Sequence, residues 1–391
     1  PRTSSAASDV YKRQTYNLEP TKKTIGDLGK NNVSLSIMSG IGIKNNKSSL
    51  KINLLHIQNG ESKAGLFTTQ NFKSNVNVVK TDILDYSERS LSNLLVEGKH
   101  SFNDNNLTYT WKISPTISKI RDKDVRETPY EVIINNNDTS YIIDPSNASS
   151  PTRTWRFLDE TNFAISNKLK YKHTLLENKA SLSTGIYYTY KERDFDVILY
   201  TLSANGIITN SQFTGNPDEL LNNLAISNIN QIGFYHSGGS QISNKYNGRQ
   251  LNFAPYISED FYFNNSLRSV IGVRMELYNQ FYSGENQENE VFNNEKVIDD
   301  ISFYPSFNFI YELNKNKKIR ASYFKTTARP SFKEKSLAQI YDVISGTTFN
   351  GNINLLPSFI NNFDLRYELY GEKTNSATIS LFYKDIKNAI E

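Results

Sequence analysis

The stretch Phe363-Asp-Leu-Arg-Tyr-Glu-Leu-Tyr370, followed by Gly371-Glu-Lys-Thr-Asn375 and then Ser376-Ala-Thr-Ile-Ser-Leu-Phe-Tyr-Lys384, decides the fold. Phe363, Leu365, Tyr367 and Leu369 alternate with Asp364, Arg366, Glu368 and Tyr370. Successive side chains of a strand point to opposite faces, so this segment has one greasy face and one charged face. Gly371 to Asn375 is turn composition. Beyond it Ala377, Ile379, Leu381 and Tyr383 alternate with Thr378, Ser380, Phe382 and Lys384. The whole is a β-hairpin with two chemically different sides.

The same unit recurs upstream. Phe303, Phe307, Phe309, Tyr311 and Leu313 lead through Asn314–Lys317 to Ile319, Ala321 and Tyr323. Similar pairs flank Asn264-Asn265, the segment His173–Asn178, Asn103–Asn106 and, more weakly, Asn45–Lys47. Six hairpins make about twelve strands. Connections inside hairpins are short, whereas those between hairpins (60–88, 119–154, 192–246, 280–299 and 330–357) are long. Strict alternation of short and long connections is the mark of an outer-membrane barrel. Strands of roughly 10–13 residues match the ~9–11 needed to cross a bilayer at a tilt. A soluble sandwich alternates too, but with short loops at both ends. Aromatic residues near strand ends, Tyr109, Trp111, Trp155, Phe157, Tyr304 and Tyr311, fit interfacial girdles. Pro217 onward and Lys333–Tyr341 read as short helices in outer loops. The expected fold is therefore all-β, an antiparallel transmembrane β-barrel with long outer loops and short periplasmic turns.

Composition agrees and excludes other classes. The 391 residues include no Cys, 4 His, 24 Tyr and 22 Phe, with 44 Lys plus Arg against 40 Asp plus Glu. Without cysteine there is no disulfide framework, thiolate zinc site or cysteine nucleophile. A net charge of +4 over both signs does not argue for nucleic acid. No apolar run is long enough for a transmembrane helix. The mean hydropathy of −0.55 is compatible with a barrel, whose lipid face is hidden in alternation.

Arg320-Ala-Ser-Tyr-Phe-Lys-Thr-Thr-Ala-Arg-Pro-Ser-Phe-Lys-Glu334, Gly351-Asn352, Asn361-Asn-Phe-Asp-Leu-Arg-Tyr-Glu368 and Leu381-Phe-Tyr-Lys-Asp-Ile-Lys-Asn388 resemble, in order and spacing, the barrel of TonB-dependent outer-membrane receptors, in particular the Asn-rich receptors of Bacteroidota. The resemblance is strong over 250–391. Lys335 stands where the family usually has Leu, and Ile353 and Leu356 depart from the Gly-Asn-Pro segment. The resemblance implies a 22-stranded barrel around an N-terminal plug, lodged in the bacterial outer membrane among lipid and lipopolysaccharide. It also implies active uptake of a small nutrient ligand, driven by the TonB complex acting on the plug. On this reading residues 15–391 are a partial barrel, with the plug, the TonB-binding segment and the closing strands outside it. Residues 4–14, Ser4-Ser-Ala-Ala-Ser-Asp-Val-Tyr-Lys-Arg-Gln14, look like a translated sequencing adapter, so 1–14 are expected to be non-native. The alternatives are a passive porin-like or structural barrel and a secreted soluble adhesin or glycan-binding protein.

Enzymatic chemistry finds no support. His56, His100, His173 and His236 are scattered without metal-type spacing, and Ser237 beside His236 is adjacency, not a dyad. No catalytic residue, metal or cofactor is expected. Alternation points Arg268, Arg274, Glu276, Arg320, Asp364, Arg366 and Glu368 inward, together with Lys168 and Lys170. These residues are the polar lumen wall and the candidate contacts to a plug. His236, in Tyr235-His-Ser-Gly-Gly239, and Arg329, at a strand-to-loop exit before Pro330, are the outer-loop ligand candidates.

Overall fold

The computed structural model describes residues 20–72, 77–135, 138–144, 148–205, 213–222, 233–371 and 375–390. The expected non-native segment 1–14 lies outside them. Hydrophobic alternation becomes strands β1 (Lys22–Lys44), β2 (Ser48–Asn71), β3 (Val78–Phe102), β4 (Leu107–Asn135), β5 (Asp138–Ile142), β6 (Thr152–Leu175), β7 (Asn178–Asn205), β8 (Gly233–Ser240), β9 (Tyr246–Tyr262), β10 (Leu267–Glu285), β11 (Val291–Asn314), β12 (Lys317–Ala328), β13 (Ile340–Asp342), β14 (Thr347–Phe349), β15 (Ser358–Tyr370) and β16 (Ser376–Lys387). One antiparallel sheet runs β1-β2-β3-β4-β6-β7-β9-β10-β11-β12-β15-β16, with β5 added to β4 and β8 to β7. The hairpins read from the sequence are all present, in the same order. Their turns are closed by asparagine: the Asn45 carbonyl accepts from the Lys47 and Ser48 amides at 2.9 and 2.6 Å, and Asn264 does the same for Ser266 and Leu267.

Strand length differs from expectation. Strands on the main path run from 12 to 29 residues. The presumed loops 60–88 and 280–299 are mostly strand, because β2 continues to Asn71 before β3 starts at Val78, and β10 reaches Glu285 before β11 starts at Val291. The reason is that pairing outlasts the bilayer. A 24-residue strand such as β2 is roughly 80 Å long, far more than a ~30 Å hydrocarbon layer needs. Above that layer the outward face turns polar, so the alternation fades while the ladder persists. Helix α1 is Glu219–Asn222, and the stretch read as helix after it lies outside the described residues. The second helix is smaller than read, α2 being Phe332–Lys335, after which Ile340–Asp342 is strand, not helix.

The two faces separate as the pattern requires. On β10 and β11 the residues Val273, Ile301, Phe303, Phe307, Phe309 and Tyr311 share one face and stay exposed, Ile301 at 64%. The other face carries Arg274, Glu276, Tyr278, Gln280 and Tyr304. Tyr304 is therefore a lumen residue and not part of a girdle, while Tyr109, Trp111 and Tyr311 do face lipid.

Loop cores form on both faces above the membrane. Tyr130, Ile143, Leu202, Phe213 and Leu220 pack on the outer face. On the lumen face the segment 330–357 folds inward. Phe332 and Ala338 pack with Phe195, Val197, Tyr246 and Tyr282, and Val343 reaches Ile83 and Val125. That segment leaves from β12 and touches β3 and β4, so it crosses the lumen face of the strands between. Gly248 makes room for it: a Cβ there would lie 2.5 Å from the Phe332 ring.

Candidate functional site: the lumen wall and the infolded segment

The seven residues expected inward all lie on the lumen face, and six form ion pairs along the wall. Arg268 grips Asp260 with two bonds of 2.8 and 2.7 Å. Arg274 pairs with Glu276 at 2.7 Å. Arg320 and Arg366 converge on Glu368 at 3.0 and 3.4 Å. Asp364 accepts from Ser322 at 3.4 Å. Arg320 stands directly opposite Arg366 on the paired strands, so a shared carboxylate is what lets the two guanidinium groups sit side by side. In a wet lumen such pairs are individually weak and act together on register.

The structure draws Arg329 into this wall. Its guanidinium donates to Glu276 at 2.6 Å, to Asp300 at 3.0 Å and to the Tyr304 hydroxyl at 3.0 Å, and it lies 4.2 Å over the Tyr278 ring. The side chain is 12% exposed. Arg329 thus ties β12 to β10 and β11 at the point where the infolded segment begins. Ser331 follows as the N-cap of α2, in a reciprocal capping box with Glu334. His236 is far from this cluster in the fold. It sits exposed on β8 opposite Leu202, edge-on to Tyr200 at 6.1 Å. The neighbouring Ser237 hydroxyl bonds to Ser203, not to His236.

Two further groups join the site, of which only Lys335 had left a signal in the sequence. A bulge between Asp122 and Val125, with Asp124 at φ +58°, shifts the alternation of β4 and turns Val125 and Glu127 toward the lumen. Glu127 there accepts from the Tyr341 hydroxyl of the infolded segment at 3.3 Å. Burial raises the Glu127 carboxyl above its usual value of 4.5, the Tyr341 bond opposing only partly. Burial, then the nearby Glu127, pushes the Tyr341 hydroxyl up to about 12. A carboxyl raised in the folded state contributes stability below its unfolded pKa and loses it as pH climbs through the raised one. The segment should therefore hold to β4 more firmly in mild acid. Limited proteolysis of 330–357 across pH 4 to 7.5 should show protection falling with pH. Glu127→Gln should flatten that profile. An unchanged slope in Glu127→Gln would assign the pH dependence elsewhere.

Lys335, the departure from the family's Leu, is 1% exposed. Its ammonium donates to the Leu355 carbonyl at 2.9 Å, and burial lowers its pKa to about 8. The charged amine costs the fold most below pH 8, and the cost is relieved as pH rises from there toward the normal 10.5. Lys335→Met keeps the volume and removes the charge. The expected gain at pH 7 is at most about 3 kcal/mol, less ~1 kcal/mol for the lost hydrogen bond. Slower protease cleavage within 330–357 is the readout, and faster cleavage would overturn the assignment.

Comparison with known proteins agrees with this geometry. No curated protein matches the sequence. Among solved structures, the chain is similar to the ferric-catecholate import receptor Fiu from E. coli K12 (13% identity, TM-score 0.50), covering 95% of this chain and 58% of that one. It is similar to the siderophore receptor PiuA from Acinetobacter baumannii (13%, TM-score 0.51, 91% and 56%). A third is the ferripyoverdine receptor of Pseudomonas aeruginosa (10%, TM-score 0.52, 95% and 49%). These likenesses show the fold, and the chain spans about half the length of those receptors. The family described as TonB dependent receptor-like, beta-barrel matches residues 69–391. The chain belongs to that family of outer-membrane transport receptors, which are not enzymes, and forms part of such a barrel.

Proposed function

We propose that the chain is the barrel portion of a receptor that takes up a scarce small nutrient across the outer membrane. Ligand binds at the outer loops and upper lumen. A plug domain fills the lumen and is displaced through the TonB complex. The observation that carries this reading is the family match over 69–391. The polar wall and the segment folded across its upper end support it, since both suit a gated lumen better than a free-flowing one. Siderophore, cofactor, peptide and glycan all remain within the proposed nutrient class.

The test is the intact locus, read from long sequencing reads. An upstream plug with a TonB-binding segment, and further strands downstream, is the expected result. A gene encoding a barrel without a plug would replace this reading with a passive porin-like channel. Recovery of the intact protein in the soluble fraction, rather than in a salt-washed membrane pellet with heat-modifiable mobility, would favour a secreted adhesin.

A further inference from the structure

Where the infolded segment crosses β6 and β7 it leaves a cavity of about 230 Å³ against the wall. Thr154 and Arg156 of β6 and Val197 and Leu199 of β7 line it from the wall, and Ile340 and Val343 close it from the segment. Thr154 and Arg156 are two residues apart on one strand, so both project from the lumen face. The cavity has the share of liquid volume of about eight waters, and so takes a ligand of about as many non-hydrogen atoms.

Arg156 is the loosely held member of this lining. Its side chain is 19% exposed, yet it donates no hydrogen bond among the described residues, and its Nε is buried without a partner. Asp122 comes no closer than 3.5 Å, at Nε, which leaves the two terminal nitrogens for another acceptor. Elsewhere on the lumen face Arg193, Arg268 and Arg329 each hold a carboxylate oxygen at 2.7 Å or less. A guanidinium carries five donors, and leaving them unpaired in a mostly enclosed place is costly. The rest of the lining is largely apolar, as in sites where one polar group orients a ligand and a greasy surface holds its body.

We propose that this cavity binds a small monocarboxylate with an apolar body, which pins the infolded segment to the wall. The ligand carboxylate takes the terminal nitrogens of Arg156, whose planar fork matches it. Its body lies between Leu199 and Ile340, and the Thr154 hydroxyl offers a second donor. The acids facing the cavity leave room for one negative charge. Asp122 reaches only the Nε side, and Glu127 is turned to Tyr341 with burial favouring its neutral form. A phosphate would bring a second negative charge toward Asp122, so the monocarboxylate is the better fit.

The probe is benzoate, titrated by calorimetry into the intact receptor in neutral detergent at pH 7, with benzamide as its uncharged isostere. Wild type should bind benzoate saturably and benzamide at least about tenfold more weakly. Arg156→Gln should bind benzoate at least about tenfold more weakly than wild type. Thr154→Phe, which fills the cavity and leaves Arg156 in place, should bind neither. Bound benzoate should slow protease cleavage within 330–357 in wild type and in neither variant. Heat-modifiable mobility checks that each barrel has folded. No saturable benzoate binding by folded wild type would overturn the cavity as a site. Unchanged affinity in Arg156→Gln, or equal affinity for benzamide, would overturn the carboxylate assignment. Binding without slower cleavage would overturn the pinning. None of these outcomes depends on a plug, so they stand apart from the test of the receptor reading.

Discussion

Phe307→Arg is expected to prevent the intact barrel from assembling, whereas Ser306→Arg, one residue away, should be tolerated. Phe307 faces lipid midway along the apolar run of β11, between Pro305 and Phe309. Its ring stacks at 6.1 Å on Tyr323, the first contact of a row continuing through Phe363 to Tyr383. Arginine at the bilayer midplane of a barrel costs about 2–4 kcal/mol, and the lost ring contact adds roughly 0.5–1.5 kcal/mol. The sum is a large share of a typical domain's ~5–15 kcal/mol. Ser306 points the opposite way, opposite Gly272, where an arginine meets water and a polar wall. Outer-membrane yield and heat-modifiable mobility read the result. Equal yields for the two variants would mean that the faces have been assigned the wrong way round.

Arg329→Ala carries the second large effect. Removing the guanidinium leaves Asp300 without a cation, held only by the Ser302 hydroxyl, and leaves Glu276 with Arg274 alone; the two carboxylate side chains are 14% and 10% exposed. Breaking a buried pair from one side costs about 3–5 kcal/mol, and the residual exposure here argues for the low end, about 3 kcal/mol. Lysine should restore little, because one ammonium cannot serve Glu276, Asp300 and Tyr304 together while lying over Tyr278. The loss should show as a lower urea midpoint and as cleavage of 330–357 at protease levels that spare wild type. If Arg329→Ala instead lowered ligand binding with the urea midpoint unchanged, Arg329 would be a ligand contact and not a tie in the wall.

Much of the barrel was legible because a strand with lipid on one side and water on the other must alternate. The hairpin Phe363–Lys384 and the inward set from Arg268 to Glu368 follow from that single constraint. The same constraint explains where reading failed. Above the membrane neither face of β2, β3, β10 and β11 meets lipid, and parts of the lumen face are covered by the infolded segment, so no lipid-driven alternation in 60–88 or 280–299 separates strand from loop. Tyr304 satisfies the girdle pattern by type, yet its register partner Arg274 puts it in the lumen. Arg329 was visible as a strand exit, but its partners come from two other strands and leave no local trace. Glu127 and Tyr341 are 214 residues apart and meet only because a one-residue bulge redirects β4. Lys335 was the exception, since an amine in place of leucine was already conspicuous.

The reach of segment 330–357 also bears on how the sheet is built. Neighbours along the main path are consecutive hairpins, so pairing can spread strand by strand while closing only short stretches of chain. The contacts of Val343 with Ile83 and of Tyr341 with Glu127 close far longer ones. They cannot form until the strands between β4 and β12 stand in place. Attachment of this segment therefore comes late in assembly, and its resistance to cleavage marks the moment at which the curved wall has been completed beneath it.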